Sequence, residues 1–428
     1  MLPQKIRDMF PHAGHYDEVL PDYKENCFAN IPSAVAHLLG VQASSPLGPI
    51  LDAAKITPGP QKVVLFFVDG FGYTQWLRYT PQFETLKRFY RDGSLAPLTS
   101  IFPSTTAAAL TAVHSGFTPM EHGLPEWWVY FRELGKIVTT LPFTLMGEKG
   151  NDQLLAAGVD PKILFNGTTL YEKLAASGVS STVLVDADYA HGAYSSLVHR
   201  GSTTLPFADV RNMFDTLRRH LESSSGPSYT FVYWANIDAI AHEFGPHSDE
   251  YRKSLHEFFD AFETEFVAKL SLGAARDLTL LMTADHGQIL VDPKRTVYLD
   301  CYPEVVDNLR VGPEGKKILP WGSPRDMFLA VQPEEIDSVV DFLERTLDAR
   351  VVRSTDALAA GLFGKGVIHP EFTSRIGDIL IIPHGDGTVW YEHTPGKKFN
   401  LHGMHGGLHK EEMLVPFALL KGDRLNKP

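Results

Sequence analysis

Hydrophobic residues are distributed along this chain in two ways. Short, nearly continuous apolar runs occupy residues 62–68, 181–185, 229–233 and 278–282, as strands covered on both faces require. The segments preceding the later runs carry apolar residues at helical spacing. This alternation predicts an α/β fold with a doubly wound, mostly parallel sheet flanked by helices. In such sheets ligands bind beyond the carboxyl ends of the strands, and three of the runs deliver an acid there: Asp69, Asp238 and Asp285.

The pattern changes at both ends of this region. Residues 1–60 are rich in Pro, Gly and short polar stretches, with one helix-like pattern at 33–39, and are expected to form an arm packed on the core. From about residue 292 to 363 come short strands near Thr296 and over 326–331, then an amphipathic helix over 333–347. We read this stretch as a smaller inserted α+β subdomain. Runs at 377–383 and 414–420 are expected to return to the main sheet, so the core comprises 61–291 and 364–428.

Composition narrows the function classes. With 44% hydrophobic residues, the 428-residue chain can bury a sizeable core. Its formal net charge of -12 offers no general positive field, so no nucleic-acid duplex binding is expected. A phosphate-handling site would therefore need local cations. Cys27 and Cys301 make neither a disulfide framework nor a thiolate metal site. No signal-peptide or membrane-spanning run is apparent, and the expected setting is cytoplasmic.

Five short segments carry candidate chemistry. Asp69 opens Asp69-Gly70-Phe71-Gly72 and is either a helix cap or a ligand. Thr106 opens an Ala-rich helix, where a hydroxyl either caps the helix or, at a helix start that stabilises an oxyanion and binds phosphate, is suited to act as a nucleophile. Asp238 and His242, four apart, form either a salt bridge or half a zinc site. Asp285-His286-Gly287 and Gly403-Met404-His405-Gly406 place further ligand types in glycine-bounded loops.

Taken together and in this order, the five segments resemble the nucleotide pyrophosphatase/phosphodiesterase family, the type I phosphodiesterases of the alkaline phosphatase superfamily. The resemblance spans residues 62–420 apart from the insert. It implies an alkaline phosphatase-like core and two divalent ions, zinc or alternatively manganese. One ion would be held by Asp238, His242 and His405, the other by Asp69, Thr106, Asp285 and His286. It also implies Thr106, not Thr105, as nucleophile: the family's nucleophile lies ten residues before the glycine ending its helix, here Gly116. The implied activity is hydrolysis of phosphate diesters or nucleotide pyrophosphates, small-molecule substrates, through a phospho-threonine.

One position departs from the family. Where relatives carry a phosphate-holding Asn, this chain has Ala109. Arg325 is a candidate substitute donor, its competing reading being an ordinary ion pair. Trp127 and Trp128 either stack on a base or pack a core or a subunit interface; pairing through exposed aromatics would give a homodimer. The alternatives are a phosphomonoesterase or phosphonate hydrolase of the same superfamily, or a non-catalytic metal-binding relative. A sulfatase signature fails, because Cys301-Tyr302-Pro303-Glu304-Val305 lacks the required Arg.

Overall fold

The computed structural model describes residues 17–425. Its centre is a seven-stranded sheet in the order Ser94–Thr99, Leu414–Lys421, Leu278–Thr283, Lys62–Val68, Ser228–Trp234, Ser180–Asp186, Thr203–Phe207. Lys62–Val68 pairs in parallel with both neighbours, and Ser180–Asp186 does likewise. Leu414–Lys421 runs antiparallel to the strands on either side of it. Phe67 stands level with both Tyr233 and Thr283, so three adjacent strands end in line and hand their acids to one edge.

Lys62–Val68 is apolar without interruption because both of its faces are covered. Val63, Leu65 and Phe67 pack in one cluster with Ala108, Ala112 and Val113 of the helix Thr106–Ser115 and with Phe28, Ile31, Val35 and Leu38 near the N-terminus. Val64, Phe66 and Val68 point the other way, onto Phe214, Phe258, Phe262 and Phe266. Burying such side chains contributes about 1.5–3 kcal/mol each, so a polar substitution on either face is costly. The segment expected as an arm thus supplies side chains to the same apolar cluster as the central strand.

A second sheet differs from the sequence expectation. It is four-stranded and antiparallel, in the order Trp321–Ser323, Asp326–Leu329, Ile379–Pro383, Ala349–Arg353. The run at 377–383 was expected in the main sheet; the strand Ile379–Pro383 pairs here instead, whereas Leu414–Lys421 does join the main sheet. The reason is physical. Leu380 and Ile382 enter one apolar cluster and Ile379 and Ile381 another, so this strand is buried on both faces like a core strand, and hydrophobicity cannot say which sheet it belongs to. Among the described residues, no helix is long and apolar enough to cross a membrane.

Candidate active site

Two clusters of potential metal ligands lie at the edge where the central strands end. Asp69, Asp285 and His286 form one, and Asp238, His242 and His405 the other; within each, one atom per residue lies within 4.8 Å of the rest. Tight turns bring them together. Gly70 adopts φ +69°, and a Cβ there would come within 2.9 Å of Asp238 Oδ1, so only glycine lets the Asp69 turn approach the Asp238 helix this closely. Asp238 and His242 are one turn apart on the helix Asn236–Phe244, which puts them on one face.

All three imidazoles are oriented the same way. Nδ1 of His242 bonds the Gly403 carbonyl at 2.7 Å, Nδ1 of His286 that of Gly287 at 2.9 Å, and Nδ1 of His405 that of Ser104 at 2.9 Å. A carbonyl only accepts, so each Nδ1 must donate, and in the neutral ring each Nε2 presents a lone pair. These lone pairs converge: His242 Nε2 and His405 Nε2 are 3.1 Å apart, and His286 Nε2 is 3.1 Å from Asp285 Oδ2 and 3.6 Å from Asp69 Oδ1. The latter two carboxylate oxygens are buried with no hydrogen-bond partner. Buried acceptors facing acceptors are unfavourable unless a cation lies among them. The residues present therefore fit a pair of divalent ions, and the mixed imidazole and carboxylate set suits zinc.

The electrostatics agree. Burial, followed by the charges of Asp285 and Asp238, pushes the Asp69 carboxyl well above the usual carboxylate range. Burial acts in the same sense on Asp238, but His242 and then His405 hold it below its ordinary value. The His405 imidazole is pushed down to about 3, by burial and then by His286. So many buried titratable groups in mutual conflict are characteristic of functional sites. Tyr233 donates to Asp69 Oδ2 at 2.5 Å, and Gln288 donates to Asp238 Oδ1.

Thr106 is the first residue of its helix, and its Oγ1 lies 3.3 Å from His286 Nε2. Thr105 occupies the N-cap position, yet its side chain makes no capping bond; it reaches the Pro125 carbonyl instead. The first-turn amides are thereby left to an external acceptor, as at anion-binding helix starts. A cavity of about 410 Å³ opens over this point, lined by Thr106, Trp127, Trp128, Asp238 and His405 among others.

Two positions fall elsewhere. Arg325 is fully buried and spans Glu412, with Nε to Oε1 at 3.0 Å and Nη2 to Oε2 at 2.7 Å. Its ion-pair reading is the one the structure has, and it does not line the cavity, so it is not placed to hold a phosphate there. Ala109 faces the apolar cluster and is fully buried, so no polar side chain could serve from that position without disturbing the core. Sequence reasoning missed Glu126 and Asp326, two buried acids, of which Glu126 lines the cavity. Burial raises the Glu126 carboxyl to about 8, against the opposing pull of the Trp127 and Trp128 amides. Neither acid belongs to a recognisable motif; only the neighbourhood of Trp127 and of Gly322-Ser323-Pro324-Arg325 pointed near them.

Residues 63–408 match the family model described as Type I phosphodiesterase / nucleotide pyrophosphatase. Bis(5'-adenosyl)-triphosphatase ENPP4 from Bos taurus is 36% identical over 81 residues, 18% of this chain and 18% of that protein. Its Homo sapiens counterpart is 23% identical over 247 residues, 56% of this chain and 50% of the relative. These matches span half or less of the relatives' length. Among solved structures, murine ectonucleotide pyrophosphatase / phosphodiesterase 5 superposes with a TM-score of 0.60 at 16% identity, covering 84% of this chain and 88% of that one. Phosphonoacetate hydrolase from Sinorhizobium meliloti 1021, in complex with phosphonoacetate, gives 0.61 at 16% identity, covering 86% and 95%. At such identities the structures show a shared fold.

Proposed function

The chain belongs to the type I phosphodiesterase / nucleotide pyrophosphatase family, and from that premise we propose that it hydrolyses phosphate diesters or nucleotide pyrophosphates through a covalent phospho-Thr106. The observation that carries this reading is the position of Thr106: a hydroxyl on an uncapped helix start, beside two clusters whose imidazole lone pairs all face inward. Asp238, His242 and His405 would hold one divalent ion and Asp69, Asp285 and His286, with Thr106, the other. When bound, such ions supply Lewis-acid polarisation of phosphate and hydroxyl oxygens.

The chain's own residues do the rest. Thr106 Oγ1 forms the new bond to phosphorus, the bond to the leaving oxygen breaks in line, and the hydroxyl proton is released as the leaving oxygen gains one. The first-turn amides of the Thr106 helix hold a phosphate oxygen, which answers the loss of a side-chain donor at Ala109. Water then cleaves the phospho-threonine, so that diester and water yield monoester and alcohol. A diester is favoured because no lysine or arginine among the described residues lines the cavity to carry a monoester's second charge. The cytoplasmic setting stays part of this proposal, with Cys27 and Cys301 both free.

The test is a panel of chromogenic diester, monoester, phosphonate and sulfate, each assayed with zinc and with manganese. The diester should be turned over fastest, and activity should vanish on chelation and return with metal. A preferred monoester or phosphonate, or undiminished turnover in chelator, contradicts the proposal.

A further inference from the structure

The cavity over Thr106 continues inward past the catalytic groups. Thr106, Leu110 and His114 all line it and stand one helical turn apart in succession on the helix Thr106–Ser115. It therefore follows that helix into the protein for about 12 Å. Facing the helix are Val183 and Val185 of the strand Ser180–Asp186, Phe231 of Ser228–Trp234, and Tyr194 of the helix Ala193–Val198. Leu110 and these four belong to the main apolar cluster, and none is more than 5% exposed. The acids stay at the mouth, because Asp69, Asp188 and Asp238 all follow carboxyl ends of sheet strands. Inside, the channel is apolar.

Two imidazoles close its inner end. His114 Nδ1 bonds the Tyr171 hydroxyl at 2.7 Å. That fully buried hydroxyl has no other partner among the described residues, so it donates to Nδ1, and the neutral ring carries its own hydrogen on Nε2. Nε2 has no partner and is open to the cavity. His199 lies 5.2 Å away between ring centroids. Its Nδ1 is 3.4 Å from Thr204 Oγ1, and its Nε2 is likewise without a partner and open to the cavity. Burial keeps both rings neutral: His114 is held well below its ordinary value, by burial and then by His199, and His199 is pushed down to about 4. An apolar channel thus ends on an unmatched N–H donor, and polar groups so deeply buried are ordinarily satisfied.

We propose that this channel holds the substituent that stays on phosphorus, and that this substituent is a slender, uncharged apolar chain ending in an oxygen that accepts from His114 Nε2. The inference rests on the hydrolase reading above. In an in-line displacement the leaving oxygen departs on the side away from Thr106, whereas the channel begins beside Thr106, so it takes the other arm of the diester. A charged end group would have to be desolvated among Leu110, Val183 and Phe231. A bare hydrocarbon end would leave the Nε2 hydrogen unmatched.

The test uses p-nitrophenyl phosphodiesters whose second arm is an alkyl chain of increasing length from methyl to nonyl, or an octyl chain with a terminal hydroxyl. In the unmodified protein kcat/KM should rise about threefold per added methylene until the channel is filled. The hydroxyoctyl ester should exceed the nonyl ester, which has as many heavy atoms, by about tenfold. In His114→Phe that ratio should collapse to about one. Ser195 lines the channel and its hydroxyl makes no hydrogen bond among the described residues, so Ser195→Leu, a second variant that leaves the Tyr171 pairing in place, should flatten the dependence on chain length. No dependence on length, a nonyl ester cleaved as well as its hydroxyoctyl counterpart, or a ratio unchanged in His114→Phe overturns the proposal. In each of those cases cleavage of the methyl ester leaves the hydrolase reading standing, whereas failure on every diester sinks both.

Discussion

Each inward-facing imidazole has its tautomer set by a backbone carbonyl, a constraint imposed by Gly403, Gly287 and Ser104 rather than by other side chains. The Asp69 carboxylate is held differently, by the Tyr233 hydroxyl on Oδ2 while Oδ1 has no partner. Supporting groups of this kind tune ligand orientation and affinity. Tyr233→Phe keeps the ring and its packing but removes that donor, and it should weaken metal binding by about 10- to 100-fold. Titration against a competing chelator measures this; unchanged affinity would show that Asp69 needs no support. At this scale the ligand types were legible because Asp69, Asp238, Asp285, His242, His286 and His405 sit in short, glycine-bounded segments. Glu126 and Asp326 were not legible, because their proximity depends on two chain segments whose approach nothing in either segment announces.

Among elements, the strands ending at Val68, Trp234 and Thr283 were readable because burial on both faces forces an unbroken apolar run. The same logic misled at Ile379–Pro383, which is equally apolar and equally covered but lies in the second sheet. That sheet is tied to the His405 segment by Arg325, whose guanidinium grips Glu412, while Glu412 also accepts from the Gly407 amide at 2.9 Å. Both partners are fully buried, so deleting one leaves an uncompensated charge. Glu412→Ala should therefore cost about 3–5 kcal/mol. Breaking the exposed Arg295–Asp386 pair with Asp386→Ala should cost no more than about 1 kcal/mol. Chemical denaturation of the two variants checks the contrast, and similar losses would refute the tie.

For the whole molecule, a chain with a formal charge of -12 would have to place positive charge locally to hold the phosphate ester proposed above. The paired ligand clusters would become such a place on holding divalent ions, and composition alone pointed only to the need. Thr106 is proposed to form the covalent bond, and Asp69, Asp285 and His286 would keep their ion without its hydroxyl. The most direct measurement is diester hydrolysis by Thr106→Ala, made on protein whose metal content is determined in the same preparation. The variant should hold about two equivalents of zinc or manganese, keep its fold, and turn over at a rate lower by at least about a thousandfold. Turnover near that of the unmodified protein, with both equivalents of metal present, would contradict that role for Thr106.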